Sequence, residues 1–170
     1  NGHVDIPTNW TKIDAYAFYY CTSLVSVAIH ANVTEIGLMA FRGCSNLTSV
    51  DIGDSVTDIK GSAFRECSSL TSVDIGDSVT EIGMVAFYRC SSLTSVDIGD
   101  SVTEIGSLAF GECSSLTSII FSGGNISFGA NVFGNCGCSD GSDCLPANSG
   151  TSICDCSTCA PTASPTASPA

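Results

Sequence analysis

Every 23 residues this chain begins again. Leu93–Ser115 reads LTSVDIGDSVTEIGSLAFGECSS, and Leu70–Ser92 and Leu47–Ser69 carry nearly the same letters. Weaker copies occupy Leu24–Asn46 and Leu116–Cys138, and the residues from Asn1 fit the same register, so six units cover Asn1–Cys138 without an insertion. An unbroken period gives each turn of chain one length. Such a chain stacks coil on coil, each touching only its neighbours.

Within the unit starting at Leu93, Leu93, Val96 and Ile98 spell a strand and Gly99-Asp100-Ser101 a turn. Val102 and Ile105 follow. Ala109, Phe110 and Cys113 are spaced for one helical turn facing the core. No single coil can bury this set, but stacking turns it into columns. One is Phe18, Phe41, Phe64, Phe87, Phe110 and Phe133; another is Val4, Val27, Val50, Val73, Val96 and Ile119. The spacing alone therefore predicts a solenoid.

The unit also resembles the BspA-like, treponemal class of leucine-rich repeat, L-x-x-I-x-I-P…V-x-x-I-x-x-x-A-F-x-x-C-x-x. A-F-x-x-C recurs from Ala17, Ala40, Ala63, Ala86 and Ala109, with Val132 replacing Ala in the last unit. Gly stands where the family carries Pro, which only Pro7 keeps. The resemblance implies an α/β solenoid: six 23-residue coils, a parallel β-sheet face and short helical turns. It also implies a role in adhesion and binding, secreted or at the cell surface.

Cys21, Cys44, Cys67, Cys90, Cys113 and Cys136 form a further column, expected to be small buried hydrophobes. The region 139–159 is different. Cys138, Cys144, Cys154, Cys156 and Cys159 sit in a Gly/Ser/Asp-rich stretch with few apolar residues, as in segments that disulfides hold together. Their number is odd, so either Cys136 joins them or one thiol is free or paired between molecules. The expectation is a stapled cap on the solenoid of residues 1–138. The spacing Cys154, Cys156, Cys159 fits no familiar zinc module. Residues 160–170 are a Pro/Ser/Thr linker or stalk, with Thr162, Ser164, Thr166 and Ser168 as O-glycan candidates. Asn9, Asn32, Asn46 and Asn125 head N-glycosylation acceptors.

Outward positions stack as well. Asp51, Asp74 and Asp97 make one acidic column, Asp54, Asp77 and Asp100 a second, and Glu35, Asp58, Glu81 and Glu104 a third. These are solvated faces or, alternatively, weak Ca²⁺ bridges through hard oxygen ligands; no other cofactor is expected. Thr11, Thr34, Thr57, Thr80 and Thr103 form a row whose regularity resembles ice-binding faces, although Thr is also an ordinary strand residue.

With 5 Lys plus Arg against 17 Asp plus Glu, the net charge is −12, which argues against nucleic acid and anionic membrane. No apolar run approaches the roughly 18 residues of a membrane span. Residue 1 is Asn and no leader pattern opens the chain, so a signal peptide is expected to have been removed or trimmed. His3 and His30 have no nucleophile placed by a motif, and evenly repeated carboxylates do not supply the two different environments of an acid–base pair. The expectation is a non-catalytic structural or adhesion protein, self-associating head-to-tail through an uncovered N-terminal edge. The alternative is a module that binds glycans or proteins through Ser49, Asp51, Ser72, Asp74, Ser95 and Asp97.

Overall fold

A computed structural model describes residues 2–136 of the chain. The cap, the linker, Cys138, Cys144, Cys154, Cys156, Cys159 and the O-glycan candidates lie outside the described residues.

Each coil contributes two short strands. The first kind comprises β1 (His3–Asp5), β3 (Ser26–Ala28), β5 (Ser49–Asp51), β7 (Ser72–Ile75), β9 (Ser95–Ile98) and β11 (Ser118–Phe121). The second comprises β2 (Lys12–Ile13), β4 (Glu35–Ile36), β6 (Asp58–Ile59), β8 (Glu81–Ile82), β10 (Glu104–Ile105) and β12 (Ser127–Phe128). All pairings are parallel and join equivalent letters of successive coils, such as Val4 with Val27 and Val27 with Val50. The second strands form one six-stranded sheet, whereas the first divide into two three-stranded sheets, β1-β3-β5 and β7-β9-β11. The second sheet extends the sequence expectation, which named a single sheet face.

The columns are real. Phe18, Phe41, Phe64, Phe87, Phe110 and Phe133 stack ring on ring, with centroids 5.0 to 5.6 Å apart. Phe41, Phe64, Phe87 and Phe110 are fully buried, as are Ile13, Ile36, Ile59, Ile82 and Ile105 from the second strands. The core is thus one apolar seam along the solenoid axis.

The A-F-x-x-C arc corrects the expected helical turn: no helix occurs among the described residues. Two positions in every coil take left-handed backbone. One runs Tyr16, Met39, Ser62, Val85, Leu108, Asn131 (φ 52–62°); the other runs Tyr20, Gly43, Glu66, Arg89, Glu112, Asn135 (φ 53–75°). A left-handed residue four apart interrupts any α-helix. Its hydrogen bonding alternates instead. The Ala40 N–H donates back to the Gly37 carbonyl, and the next amide, that of Phe41, donates to the Ala63 carbonyl of the following coil. The arc is therefore a tight ribbon that is itself bonded from coil to coil.

The cysteine column has a second bonding role. The thiols of Cys44, Cys67, Cys90, Cys113 and Cys136 donate to the carbonyls of Phe18, Phe41, Phe64, Phe87 and Phe110, at 3.1–3.2 Å. Burial pushes the Cys44 thiol up to about 12 and raises Cys67, Cys90 and Cys113 further. Iodoacetamide at mildly alkaline pH should leave these four unlabelled in the native protein and label them in denaturant, as peptide mass mapping would read. Native labelling of Cys67 or Cys90 would show that the seam opens.

Candidate binding surface

Three kinds of outward surface follow from this build. On the first strands, Ser49 and Asp51 lie on β5, Ser72 and Asp74 on β7, and Ser95 and Asp97 on β9, with Ser72 paired to Ser95 and Asp74 to Asp97. The face is mostly exposed and uniformly small and acidic. Partial desolvation and the repulsion of Asp97, Asp77 and Asp51 raise the pKa of Asp74. Among the described residues no three His, Cys, Asp or Glu side chains converge to hold a metal ion.

The second strands carry the Glu35, Asp58, Glu81, Glu104 column. Lys60, standing where the next two coils have Gly, bonds Asp58 at 2.7 Å and reaches Glu81 at 3.8 Å. The hydrogen bonds from Lys60 and Thr57 hold Asp58 below the ordinary carboxylate range. The two aspartates should therefore act oppositely on stability. A depressed folded-state pKa stabilises above the unfolded value and is lost as pH falls; a raised one penalises the fold at neutral pH and is relieved as pH falls. Asp58→Asn should destabilise and Asp74→Asn stabilise at pH 7, both differences shrinking in acid, as urea midpoints between about pH 7 and about pH 3 would show.

The threonine row is bound into the scaffold. The hydroxyls of Thr34, Thr80 and Thr103 donate to the carbonyls of Thr11, Thr57 and Thr80 at 3.2 Å, and that of Thr57 donates to Asp58 at 2.7 Å. A second row, Thr48, Thr71, Thr94 and Thr117, does the same. These donors are thus engaged along the stack, coil to coil, although the threonines themselves are exposed. Asn9, Asn32, Asn46 and Asn125 are all exposed, and the amides of Asn32 and Asn46 donate to the carbonyls of Thr8 and Thr22.

One constellation was invisible to motif reading. His3 Nδ1 lies 2.7 Å from Ser26 Oγ, and its Nε2 is 3.1 Å from Asp5 Oδ1. The repeat places Ser26 beside His3 across the β1–β3 pair. The Asp5 side chain is 81% exposed, so water competes for the histidine. An exposed carboxylate does not fix the imidazole as the buried one of a serine triad does.

The third surface is the outside of the arc. The arginines of the chain, Arg42, Arg65 and Arg89, all stand on it, with the tyrosines Tyr16, Tyr19, Tyr20 and Tyr88. Tyr16, Tyr19 and Tyr20 meet edge to face, at 5.5 and 4.7 Å. Arg42 lies over Tyr19, and Tyr88 is flanked by Arg65 at 5.2 Å and Arg89 at 5.3 Å. Glu66 accepts from Arg65 at 3.1 Å, pairs with Arg42 at 3.6 Å and accepts from the Tyr20 hydroxyl at 3.3 Å. Leu38 and Met84, 42% and 61% exposed, continue the strip. Sequence reasoning missed this surface, although the signal was present. The coils 47–69, 70–92 and 93–115 differ only at Asp58, Lys60, Gly61, Ser62, Arg65, Glu66 and their equivalents. Between those coils, all change falls on the second-strand rim and the arc.

A rigid parallel stack with an apolar seam and varied outer arcs defines a leucine-rich-repeat solenoid. Residues 11–139 match six copies of the BspA type leucine rich repeat region, and the chain belongs to that family. A leucine-rich repeat protein of T. pallidum is similar at 31% identity and TM-score 0.71, over 79% of this chain and 76% of that one. A leucine-rich repeat protein from Eubacterium ventriosum gives 28% and 0.65, over 71% of this chain and 32% of that one. A leucine rich cell surface protein from Faecalibacterium prausnitzii gives 35% and 0.54, over 71% and 39%. The search of curated proteins gave no match. Members of this family are usually surface proteins of binding or adhesion. Among the described residues no helix is long and apolar enough to cross a membrane.

Proposed function

We propose that this protein is a non-catalytic binding protein, secreted or displayed at a cell surface, whose anchoring residues for adhesive contact stand on the arc. The observation that carries this reading is the arc's composition. Tyr and Arg anchor protein interfaces because they combine large rigid area with hydrogen-bonding tips. The first-strand face, Ser49 to Asp97, offers neither. The cell-surface naming of the F. prausnitzii relative supports the location. Glycans at Asn9, Asn32, Asn46 and Asn125, and disulfides among Cys136, Cys138, Cys144, Cys154, Cys156 and Cys159, fit an extracellular setting and belong to the same proposal.

The test is adhesion of cells to the immobilised full chain. Tyr19→Ala with Tyr88→Ala should remove most of the binding, while Glu104→Gln, exposed on the second strands, should leave it unchanged. Retention of binding with the tyrosine pair would overturn the assignment of the arc.

A further inference from the structure

We propose that the partner of the arc is a second copy of this chain, seated by its acidic first-strand face. The inference rests on the arc being the contact surface and names what it contacts. The first support is charge. The arc gathers the arginines of a chain whose net charge is −12, while the first strands and the turns after them present Asp51, Asp74, Asp97 and Asp54, Asp77, Asp100. Glu66 bonds Arg65 and pairs with Arg42, but among the described residues Arg89 has no carboxylate at ion-pair distance and lies only against Tyr88. Asp74 shows the converse want, since its acidic neighbours push its pKa up and no cation is paired with it among the described residues.

The second support is pitch. Arg42 and Arg65 hold the same place in successive coils, as Asp51, Asp74 and Asp97 do, and Arg89 stands in the next coil one residue beyond that place, beside Tyr88. Coils are separated by the spacing of the phenylalanine stack, 5.0–5.1 Å through this region. Arg42 and Arg65 can thus meet two successive aspartates at the same pitch with Arg89 alongside, whereas an unrelated acidic surface would match one of them at a time. Tyr19, Tyr88, Leu38 and Met84 would supply the apolar contact beside these pairs. The net charge opposes association at long range, but at physiological ionic strength the Debye length is about 8 Å, so contact pairs outweigh the overall repulsion. Arc and first-strand face are different surfaces of one molecule, so the contact is heterologous and continues from copy to copy.

Sedimentation velocity of the full chain, across a concentration series, tests this. Association is expected at about 0.15 M NaCl and should weaken at least about ten-fold at about 0.5 M. Arg65→Glu with Arg89→Glu should be monomeric, and so should Asp74→Lys with Asp97→Lys, whose changes lie at exposed positions; far-UV circular dichroism checks that each is folded. Mixing the two variants should restore association, because each acidic arc then meets a basic first-strand face. A wild-type chain that stays monomeric throughout, or a mixture that stays monomeric while the wild type associates, would overturn the proposal. A monomeric wild type that still binds cells through Tyr19 and Tyr88 would retire the second copy as partner while leaving the function standing.

Discussion

Phe87→Ala should lower the unfolding free energy by about 3–5 kcal/mol, the largest single loss expected in this chain. The ring is fully buried and has a parallel ring on each side, Phe64 at 5.1 Å and Phe110 at 5.1 Å. Removing it takes away the transfer term and leaves a cavity that neither neighbour can fill. Both rings are held in place by bonds to the following coil, the Phe64 N–H on the Ala86 carbonyl and the Phe110 N–H on the Val132 carbonyl. The thiol of Cys113 also donates to the carbonyl of Phe87, so disturbance there spreads to the next coil. Phe18→Ala is the internal control. Phe18 is half-buried and stacks on one ring, Phe41, so its loss should cost distinctly less. Urea melts followed by circular dichroism and by tyrosine fluorescence would measure both; the two probes matter because repeat arrays can unfold in parts. A cost below about 1 kcal/mol at Phe87 would contradict the stacked seam.

The axial order of this fold was legible because a fixed period leaves only one way to superpose equal letters. Phe64 over Phe41 and Val96 over Val73 required no knowledge of local conformation. What the letters concealed was conformation inside the coil. Glu81-Ile82 is too short to show the alternation that marks a strand, so the second sheet was visible only as an apolar column. Ala86, Phe87 and Cys90 have helical spacing, but Val85 and Arg89 adopt φ of 52° and 60°, which neither residue type announces. Coil-to-coil hydrogen bonding holds them there against a local cost of about 1–2 kcal/mol each. The binding surface was concealed for another reason. Regularity drew the reading to the repeated Ser and Asp positions of the first strands, whereas the residues able to anchor a partner, Arg65, Tyr88 and Arg89, are those that break the repeat.

Near-identical letters also hide unequal spaces, and Gly76 and Gly99 expose this. They hold the same place in successive coils, after Ile75 and Ile98. A Cβ on Gly99 would sit 2.6 Å from the Gly76 carbonyl oxygen and 2.7 Å from that of Ile75, backbone atoms that β7–β9 pairing holds in place. A Cβ on Gly76 would find nothing nearer than the Ile52 carbonyl oxygen at 3.9 Å. The first-strand sheets explain the difference, since they divide between β5 and β7, beneath Gly76. Gly99→Ala should accordingly destabilise by about 1–3 kcal/mol through overpacking. Gly76→Ala should stabilise by about 0.4–1 kcal/mol, because the space is open, φ is not left-handed there, and alanine restricts the unfolded chain. The two variants, compared in urea under one condition, therefore differ in sign. Equal losses at both positions would mean that β5 and β7 are hydrogen-bonded in solution and that the first strands form one unbroken sheet.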